Sequence, residues 1–167
     1  MTFSGQQASF DFGLASRSIP LVLITLGEAW HKSIAAGEKH FEYRRRYLRE
    51  PSLAVVYVGD SIRSICALAE FGEPIIDNPN RIAAIGDEDQ PGIRHGLVEY
   101  FGSRKEGFAI PILNYEVFDP ISLERIKRAV SGFHPPQSYL YVDRNQTLLT
   151  FLQREARSAL LADARPR

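Results

Sequence analysis

The sequence has little cysteine and no surplus of charge of either sign. Cys66 is the only cysteine among 167 residues, which excludes an internal disulfide and a site built from several thiolates. Lys and Arg together number 20, and so do Asp and Glu, so the net charge does not indicate a polyanionic partner. The longest early hydrophobic run, IPLVLITL, is too short to span a bilayer. We therefore expect a soluble, cytoplasmic protein that has no membrane partner.

Several signatures of cofactor and metal chemistry are also missing. The sequence contains no glycine-rich nucleotide loop of the G-x-G-x-x-G or Walker type and no G-x-S-x-G elbow. The four histidines, His31, His40, His95 and His134, do not have the spacing of metal ligands. The sequence therefore predicts no cofactor and no metal.

What the sequence does contain is an alternation of strand-like and helix-like periods between two polar ends. Hydrophobic residues make up 44% of the chain, which is enough for one domain with a core. We predict a flexible arm over residues 1–18, a folded domain over residues 19–143, a C-terminal helix over residues 144–161 and a tail over residues 162–167.

The periods within the domain predict its fold class. Short apolar runs such as SLAVVYV predict strands, and a 3.6-residue period predicts helices near residues 28–36, 91–102 and 122–130. Residues 73–90 contain several helix and strand breakers, so we predict a loop there. Strands with short helices between them predict an α+β fold built on a curved, mixed sheet or small β-barrel.

The segment SIAAGEKHFEYRRR, residues 33–46, holds the most informative pattern. Within it, the spacing G-x-K-x-x-E-x-R is formed by Gly37, Lys39, Glu42 and Arg44. We predict that Gly37 ends a helix, and that the alternation after it forms a strand with Glu42 and Arg44 on one face. The pattern therefore places charged side chains at a junction between a helix and a strand.

The chemistry of these side chains leaves more than one interpretation open. Lys39 is either a solvated surface residue or, in a cleft, a phosphate clamp or a base with a lowered pKa. Glu42 and Arg44 form either an ion pair that orders the rim or an active pair, in which Glu42 takes a proton and Arg44 holds an anionic oxygen. Gly37 is either a helix stop or a place where a ligand approaches the backbone.

Arginine and tyrosine residues near the motif extend these alternatives. Arg45, Arg46 and Arg49 follow the motif, and they either form a solvated face or follow a nucleic-acid backbone. Tyr43 and Tyr57 are either core residues or platforms on which a base stacks.

Three segments in the same order resemble the ASCH domain family of the PUA-like superfamily. They are the G-x-K-x-x-E-x-R motif, the strand end VYVGDS at residues 56–61, and PPQSYLYV at residues 135–142, which a long strand and a helix precede. The resemblance covers about residues 19–143. It implies a small β-barrel with a cleft at one mouth and a function tied to RNA, as a binding module, a coactivator domain, a ribonuclease or an N4-acetylcytidine hydrolase.

The resemblance also implies roles for residues in the cleft. Lys39 matches the catalytic lysine of the acetylcytidine branch, whereas Glu42 stands where that branch has a threonine. The remote glutamate of that branch has only Glu88 or Glu99 as candidates. Ser61, at the position that faces the cleft in the family, is a third catalytic candidate.

Further residues are predicted to bind the ligand. Gln137 and Ser138 either read the edge of a base or satisfy backbone groups after Pro135 and Pro136. Our main hypothesis is a protein that recognises single-stranded or modified RNA, or a nucleotide, in this cleft. The alternatives are an enzyme in the same cleft, either a ribonuclease or a nucleoside amidohydrolase, and a domain that interacts with a protein partner.

Overall fold

The computed structural model describes residues 19–156 together with residues 161, 164 and 166. The predicted arm over residues 1–18 and most of the predicted tail over residues 162–167 lie outside the described residues. Among the described residues, no helix combines the length and the apolar character that crossing a bilayer requires.

The described residues form one mixed sheet and five helices, which confirms the predicted α+β class. The strands are β1 (Leu21–Leu26), β2 (Phe41–Arg44), β3 (Ser52–Val58), β4 (Ser64–Phe71), β5 (Ile75–Asp77), β6 (Gly107–Ser122) and β7 (Tyr139–Tyr141). The helices are α1 (Glu28–Ala35), α2 (Pro79–Asp89), α3 (Arg94–Phe101), α4 (Leu123–Ala129) and α5 (Gln146–Glu155).

The sheet curls because one long strand belongs to two parts of it. The strand order is β2-β6-β4-β3-β1-β7, and β5 also pairs with β6. Only β1 and β3 are parallel; the other pairs are antiparallel. The first residues of β6 pair with β2 and β5, and residues 112–122 pair with β4. The register of β6 against β4 shifts between Ile112 and Asn114, so the strand bends there.

Alternating side chains of the central strands bury the two faces of the sheet against different partners. One cluster packs Leu21 and Leu23 of β1 with buried residues of α4 and α5. The other packs Val22 and Ile24 with Ile34 of α1. A third, smaller cluster joins β2 to α2 and α3.

The prediction of a loop over residues 73–90 is wrong, because this segment contains β5 and α2. Asn78 caps α2: its side chain accepts a hydrogen bond from the backbone N–H of Arg81. Pro79 stands in the first turn, where a missing backbone N–H costs nothing and a fixed φ suits the helix. Residues that we interpreted as breakers are therefore the start signal of a helix. This helix, α2, packs against α3.

The predicted change from helix to strand at Gly37 is confirmed. Gly37 has a φ of +74°, a region that favours glycine. Its N–H donates to the carbonyl of Ile34 at 3.0 Å, and the N–H of Glu38 donates to the carbonyl of Ser33 at 2.9 Å. These two bonds are the Schellman pattern that ends a helix and reverses the chain. The chain then enters β2, which pairs with β6.

Candidate functional site

A cavity of about 490 Å³ lies where the end of β1, helix α1, strand β2 and helix α3 meet. Its size falls within the range of about 300–1000 Å³ that is usual for small-molecule sites. One side is lined by three residues of the motif predicted from the sequence, Lys39, Glu42 and Arg44, and by Tyr43, which lies between the last two. We call this space the cavity.

Three charged side chains of the cavity are buried. Lys39 is 4% exposed, Glu42 6% and Arg44 9%. Lys39 Nζ lies 3.8 Å from Glu42 Oε2, and Arg44 Nε lies 2.8 Å from Glu42 Oε1. The N–H of Nε is not aligned for a hydrogen bond, so this second contact is an ion pair without one. One carboxylate thus stands between two cations, and a buried charge is tolerated only with such partners.

The guanidinium of Arg44 is occupied by the protein itself. Its Nη2 donates to the carbonyl of Thr25 at 2.8 Å, and its Nη1 donates to the carbonyl of Ser138 at 3.4 Å. Thr25 in turn donates its hydroxyl to the carbonyl of Pro136 at 2.8 Å. Arg44 therefore ties β1, β2 and the segment before β7 together, and it fixes the orientation of the Glu42 carboxylate.

Lys39 has its charge but no hydrogen-bond acceptor among the described residues. Its nearest carboxylate oxygen, at 3.8 Å, is too far for a hydrogen bond. Nζ lies 4.4 Å from the ring centroid of Tyr43 and 5.0 Å from that of Trp30, as in cation–π contacts. Burial lowers the pKa of Lys39, and the negative charges of Glu42 and Asp89 oppose that shift. The ammonium donors of Lys39 are therefore available to a ligand.

The Tyr43 side chain completes this side of the cavity. Its ring packs with Ile82 and Phe101 under α2 and α3. Its hydroxyl is buried and has no hydrogen-bond partner within the described part of the chain. Burial also raises the pKa of Tyr43, so the hydroxyl stays protonated.

The remaining lining of the cavity is apolar and partly open. Trp30 of α1 is 46% exposed and Tyr100 of α3 is 38% exposed, although both line the cavity. Gly92 and Gly96 also line it, and a Cβ at either would meet no atom within 4 Å. Gly96 lies inside α3, where glycine is about 0.8–1.0 kcal/mol less favourable than alanine. These four residues form a wall that was not predicted from the sequence.

A groove of about 730 Å³, shallower than the cavity, begins where β2 ends. Arg45, Arg46 and Arg49 line it with Arg104 and Lys105. We call it the basic groove. All five side chains are exposed. The structure thus brings the predicted arginine run together with two basic residues that lie far away in sequence.

The cavity and the basic groove meet at one stacked pair. The guanidinium of Arg45 lies 4.7 Å from the ring centroid of Tyr100, and Tyr100 lines the cavity while Arg45 lines the basic groove. Arg49 is less available, because it forms an ion pair with Glu106 and lies over the ring of Phe108.

Ser138 and Gln137 lie beside the cavity rather than in its wall. The carbonyl of Ser138 accepts the bond from Arg44, and its hydroxyl is 3.5 Å from the carbonyl of Arg46. Gln137 is exposed on the same segment. Gly37 is exposed as well and ends α1 without lining the cavity.

The structure does not bring Ser61 or Tyr57 into the cavity. Ser61 is exposed after β3, and its hydroxyl donates to Glu28 Oε2 at 2.6 Å. Tyr57 is 4% exposed and packs in the cluster shared with α4 and α5. The two candidates for a remote glutamate, Glu88 and Glu99, are exposed and do not line the cavity either.

In the described ranges, no group of three or more His, Cys, Asp or Glu side chains is arranged to hold a metal ion.

Comparison with known proteins shows a similarity to ASCH domain proteins. No protein-family model matches the chain. It is 23% identical over 128 residues to a Zymomonas mobilis protein named ASCH domain-containing ribonuclease, and the match covers 75% of this chain and 86% of that protein. This relative supports the resemblance that the motif order predicted.

Solved structures share the fold. The crystal structure of ASCH from Zymomonas mobilis has a TM-score of 0.71 at 19% identity, covering 82% of this chain and 96% of that one. A serine-to-alanine mutant of the same protein has a TM-score of 0.72 at 20% identity, covering 83% and 99%. A hypothetical protein from Leishmania major has a TM-score of 0.51 at 12% identity, covering 82% and 94%.

Proposed function

We propose that this chain, which is similar to ASCH domain proteins, binds single-stranded RNA along the basic groove and cleaves it in the cavity. The observation that carries the proposal is the state of Lys39. Its ammonium is buried, has no hydrogen-bond acceptor in the part of the chain that the structure describes, and lines a cavity next to an exposed basic surface. An anionic ligand such as a phosphate supplies the missing acceptors. The name of the Zymomonas mobilis relative supports RNA as that ligand.

The basic groove fits the backbone of a single strand. Arg45, Arg46, Arg104 and Lys105 are exposed along it, and none forms an ion pair with a described acidic residue. Phosphate contacts of this kind hold a strand without reading its sequence. The Arg45–Tyr100 pair leads from this track to the cavity, so a strand in the basic groove passes the mouth of the cavity.

The cavity has the groups that transfer of a phosphoryl group needs. In the proposed step, Glu42 takes the proton of a ribose 2′-hydroxyl while that oxygen forms a bond to the adjacent phosphorus. The bond between phosphorus and the leaving 5′ oxygen breaks, and that oxygen takes up a proton from water. The ammonium of Lys39 stabilises the charge on the phosphoryl oxygens. The products are a 2′,3′-cyclic phosphate and a 5′-hydroxyl end.

Arg44 has a different role from the one that its charge suggested. Its Nη1 and Nη2 donate to the carbonyls of Ser138 and Thr25, and its Nε forms an ion pair with Glu42, so in this proposal it holds the carboxylate in place. We assign Arg44 to positioning and Lys39 to the anion. Ser61 has no part in this proposal, because its hydroxyl is bonded to Glu28 outside the cavity.

Mass spectrometry of the products tests the proposal. Pure protein is incubated with a pool of RNA oligonucleotides and with a panel of modified nucleosides that includes N4-acetylcytidine. We expect RNA fragments ending in cyclic phosphate from the wild type, none from Lys39→Ala, and wild-type products from Arg128→Ala, an exposed position on α4 that lines neither site.

Other products identify the other hypotheses. A 2′-deoxy nucleotide at the cleaved position should stop cleavage and leave binding intact. Acetate released from N4-acetylcytidine without RNA fragments assigns the cavity to an amidohydrolase. Binding without any product assigns it to a recognition module, and neither binding nor product overturns the RNA proposal.

A further inference from the structure

We propose that the cavity holds one unpaired nucleobase, stacked on the indole of Trp30 and lying along the glycine-lined side of α3. This inference rests on the proposed function, because it assigns a contact within the same RNA site. It adds a residue that selects a flat aromatic ligand, beside the donors of Lys39 and the acceptors of Glu42 that line the same cavity.

The exposure of Trp30 is the first observation. A tryptophan side chain is largely apolar and normally buries most of its surface. Trp30 is 46% exposed, yet it lines the wall of the cavity. Only five large hydrophobic residues of the described chain are 38% exposed or more, and two of them, Trp30 and Tyr100, line this one cavity. Exposed aromatic faces at the end of a basic groove are typical stacking platforms for the bases of a single strand.

Gly92 and Gly96, which line the cavity with Trp30, are the second observation. A comparison with Gly86 shows why they are informative. A Cβ at Gly86 of α2 would lie 2.3 Å from Leu97, so packing between α2 and α3 requires glycine there. No such reason exists at Gly96, where a Cβ would meet no atom within 4 Å. Gly96 lines the same cavity as Trp30, and the space at its Cβ position is open. A side chain at this position would take up part of that space, which a planar ring can occupy.

The polar side of the cavity identifies the flat ligand as a nucleobase. The ammonium of Lys39 offers hydrogen-bond donors, and the carboxylate of Glu42 offers acceptors, within the same wall. A purely apolar ring leaves the buried ammonium of Lys39 without a hydrogen-bond acceptor, whereas a base carries carbonyl oxygens and amino groups on its edge. The positive charge nearby also favours the phosphate that comes with the base.

The base-dependent part of binding is measured with two small probes. Calorimetry compares AMP with ribose 5-phosphate, which carries the phosphate but no base. We expect the wild type to bind AMP at least tenfold more tightly. Trp30→Ala should reduce this preference to less than threefold, and Trp30→Phe, which keeps an aromatic ring, should retain part of it. Leu113→Ala is the matched control, since Leu113 is a 61% exposed hydrophobic residue outside the cavity.

The glycine wall gives a second readout that does not change Trp30. Trp30 is the only tryptophan of the sequence, so its fluorescence reports directly on the cavity. AMP should quench this fluorescence in the wild type and ribose 5-phosphate should not. Gly96→Leu should abolish the quenching, while its thermal transition stays at or above that of the wild type, because leucine favours the helix more than glycine does.

The outcomes separate this inference from the proposed ribonuclease activity. Equal affinities for AMP and ribose 5-phosphate, or unchanged quenching in Gly96→Leu, overturn the base site, whether or not the protein cleaves RNA. A preference for AMP that depends on Trp30 supports the base site even if no RNA is cleaved, and in that case only the ribonuclease proposal fails.

Discussion

The cavity and the basic groove hold their charges in opposite ways, although residues 39–49 contribute to both. Lys39, Glu42 and Arg44 are at most 9% exposed and contact one another. Arg45 and Arg46, the next two residues, are exposed and form no ion pair with a described residue. Removing one partner of a buried ion pair costs about 3–5 kcal/mol, whereas an exposed pair contributes about 0–1 kcal/mol.

This difference separates two tasks. Charges in water attract a polyanion from a distance and are screened by salt. Charges held without water are screened less and keep a fixed geometry, which catalysis requires. The chain passes from the buried environment to the exposed one where β2 ends, between Arg44 and Arg45.

The largest effect is expected from Lys39→Ala. Loss of one preorganised donor to a developing negative charge lowers a rate by about 10²–10³-fold. We expect the single-turnover rate of RNA cleavage, measured with saturating protein, to fall by that factor. Lys105→Ala removes an exposed lysine of the basic groove, and under saturation its rate should match that of the wild type. Equal rates for the two variants would remove the distinction between cavity and groove.

Stability distinguishes Arg44 from Arg45. Arg44→Ala leaves Glu42 with Lys39 as its one cationic partner and removes the side-chain donors to the carbonyls of Thr25 and Ser138. We expect the free energy of unfolding to fall by about 3–5 kcal/mol. Arg45→Ala loses only an exposed stack on Tyr100 and should cost about 1 kcal/mol or less. Urea denaturation of both variants measures the difference, and similar losses would mean that the buried network contributes little.

The pH dependence of cleavage follows from the pKa of Lys39. Burial lowers this pKa from the usual lysine value, and the proposed role requires the protonated form. The rate should therefore decline as the pH rises through the lowered pKa, below the usual value of about 10.4. Lys39→Arg keeps its charge at every accessible pH, so its smaller rate should lack this decline. A wild-type rate that climbs through the same range would instead make neutral Lys39 a base.

Salt dependence tests the basic groove. Each phosphate contact on a single strand contributes about 0.7 to the slope of log affinity against log salt. Arg45→Ala combined with Arg46→Ala should reduce the slope by roughly 1.4, and should weaken different RNA sequences about equally. Filter binding at several salt concentrations gives the slope. Arg128→Ala should leave it unchanged; an unchanged slope in the double variant as well would place the strand elsewhere.

The smallest effect is expected from Ser61→Ala. Its hydroxyl contacts Glu28 on the exposed end of α1 and not the cavity. A surface change of this kind usually shifts a free energy by no more than about 0.5 kcal/mol, or roughly twofold. The cleavage rate of this variant should stay within that range. A loss comparable to that of Lys39→Ala would return Ser61 to the catalytic group.

Local signals allowed part of this site to be predicted. Gly37 was a reliable stop because its positive φ and the two Schellman bonds involve residues within one turn of each other. The alternation after it placed Glu42 and Arg44 together for the same reason. The start of α2 was equally local, in Asn78 and Pro79, but these residue types also occur in loops, and only the cap geometry distinguishes the two.

The other wall of the cavity depends on contacts between distant segments. Nothing near Gly96 or Trp30 indicates that α1 and α3 face each other across one space. The one local hint was a glycine inside a helical period, which is unfavourable unless something requires it. Tyr57 also depended on distant contacts. It lies inside the strand-like run SLAVVYV, but that run did not indicate which face of the sheet its side chain occupies.

The most direct test of this separation is one experiment on one RNA. The dissociation constant and the single-turnover rate at saturation are measured for the wild type, for Lys39→Ala, and for the Arg45→Ala, Arg46→Ala double variant. We predict a crossed result, in which Lys39→Ala loses the rate and keeps most of the affinity, and the double variant loses affinity and keeps the rate. If both variants lose the rate and the affinity in the same proportion, the cavity and the basic groove do not perform separate tasks, and the account is wrong.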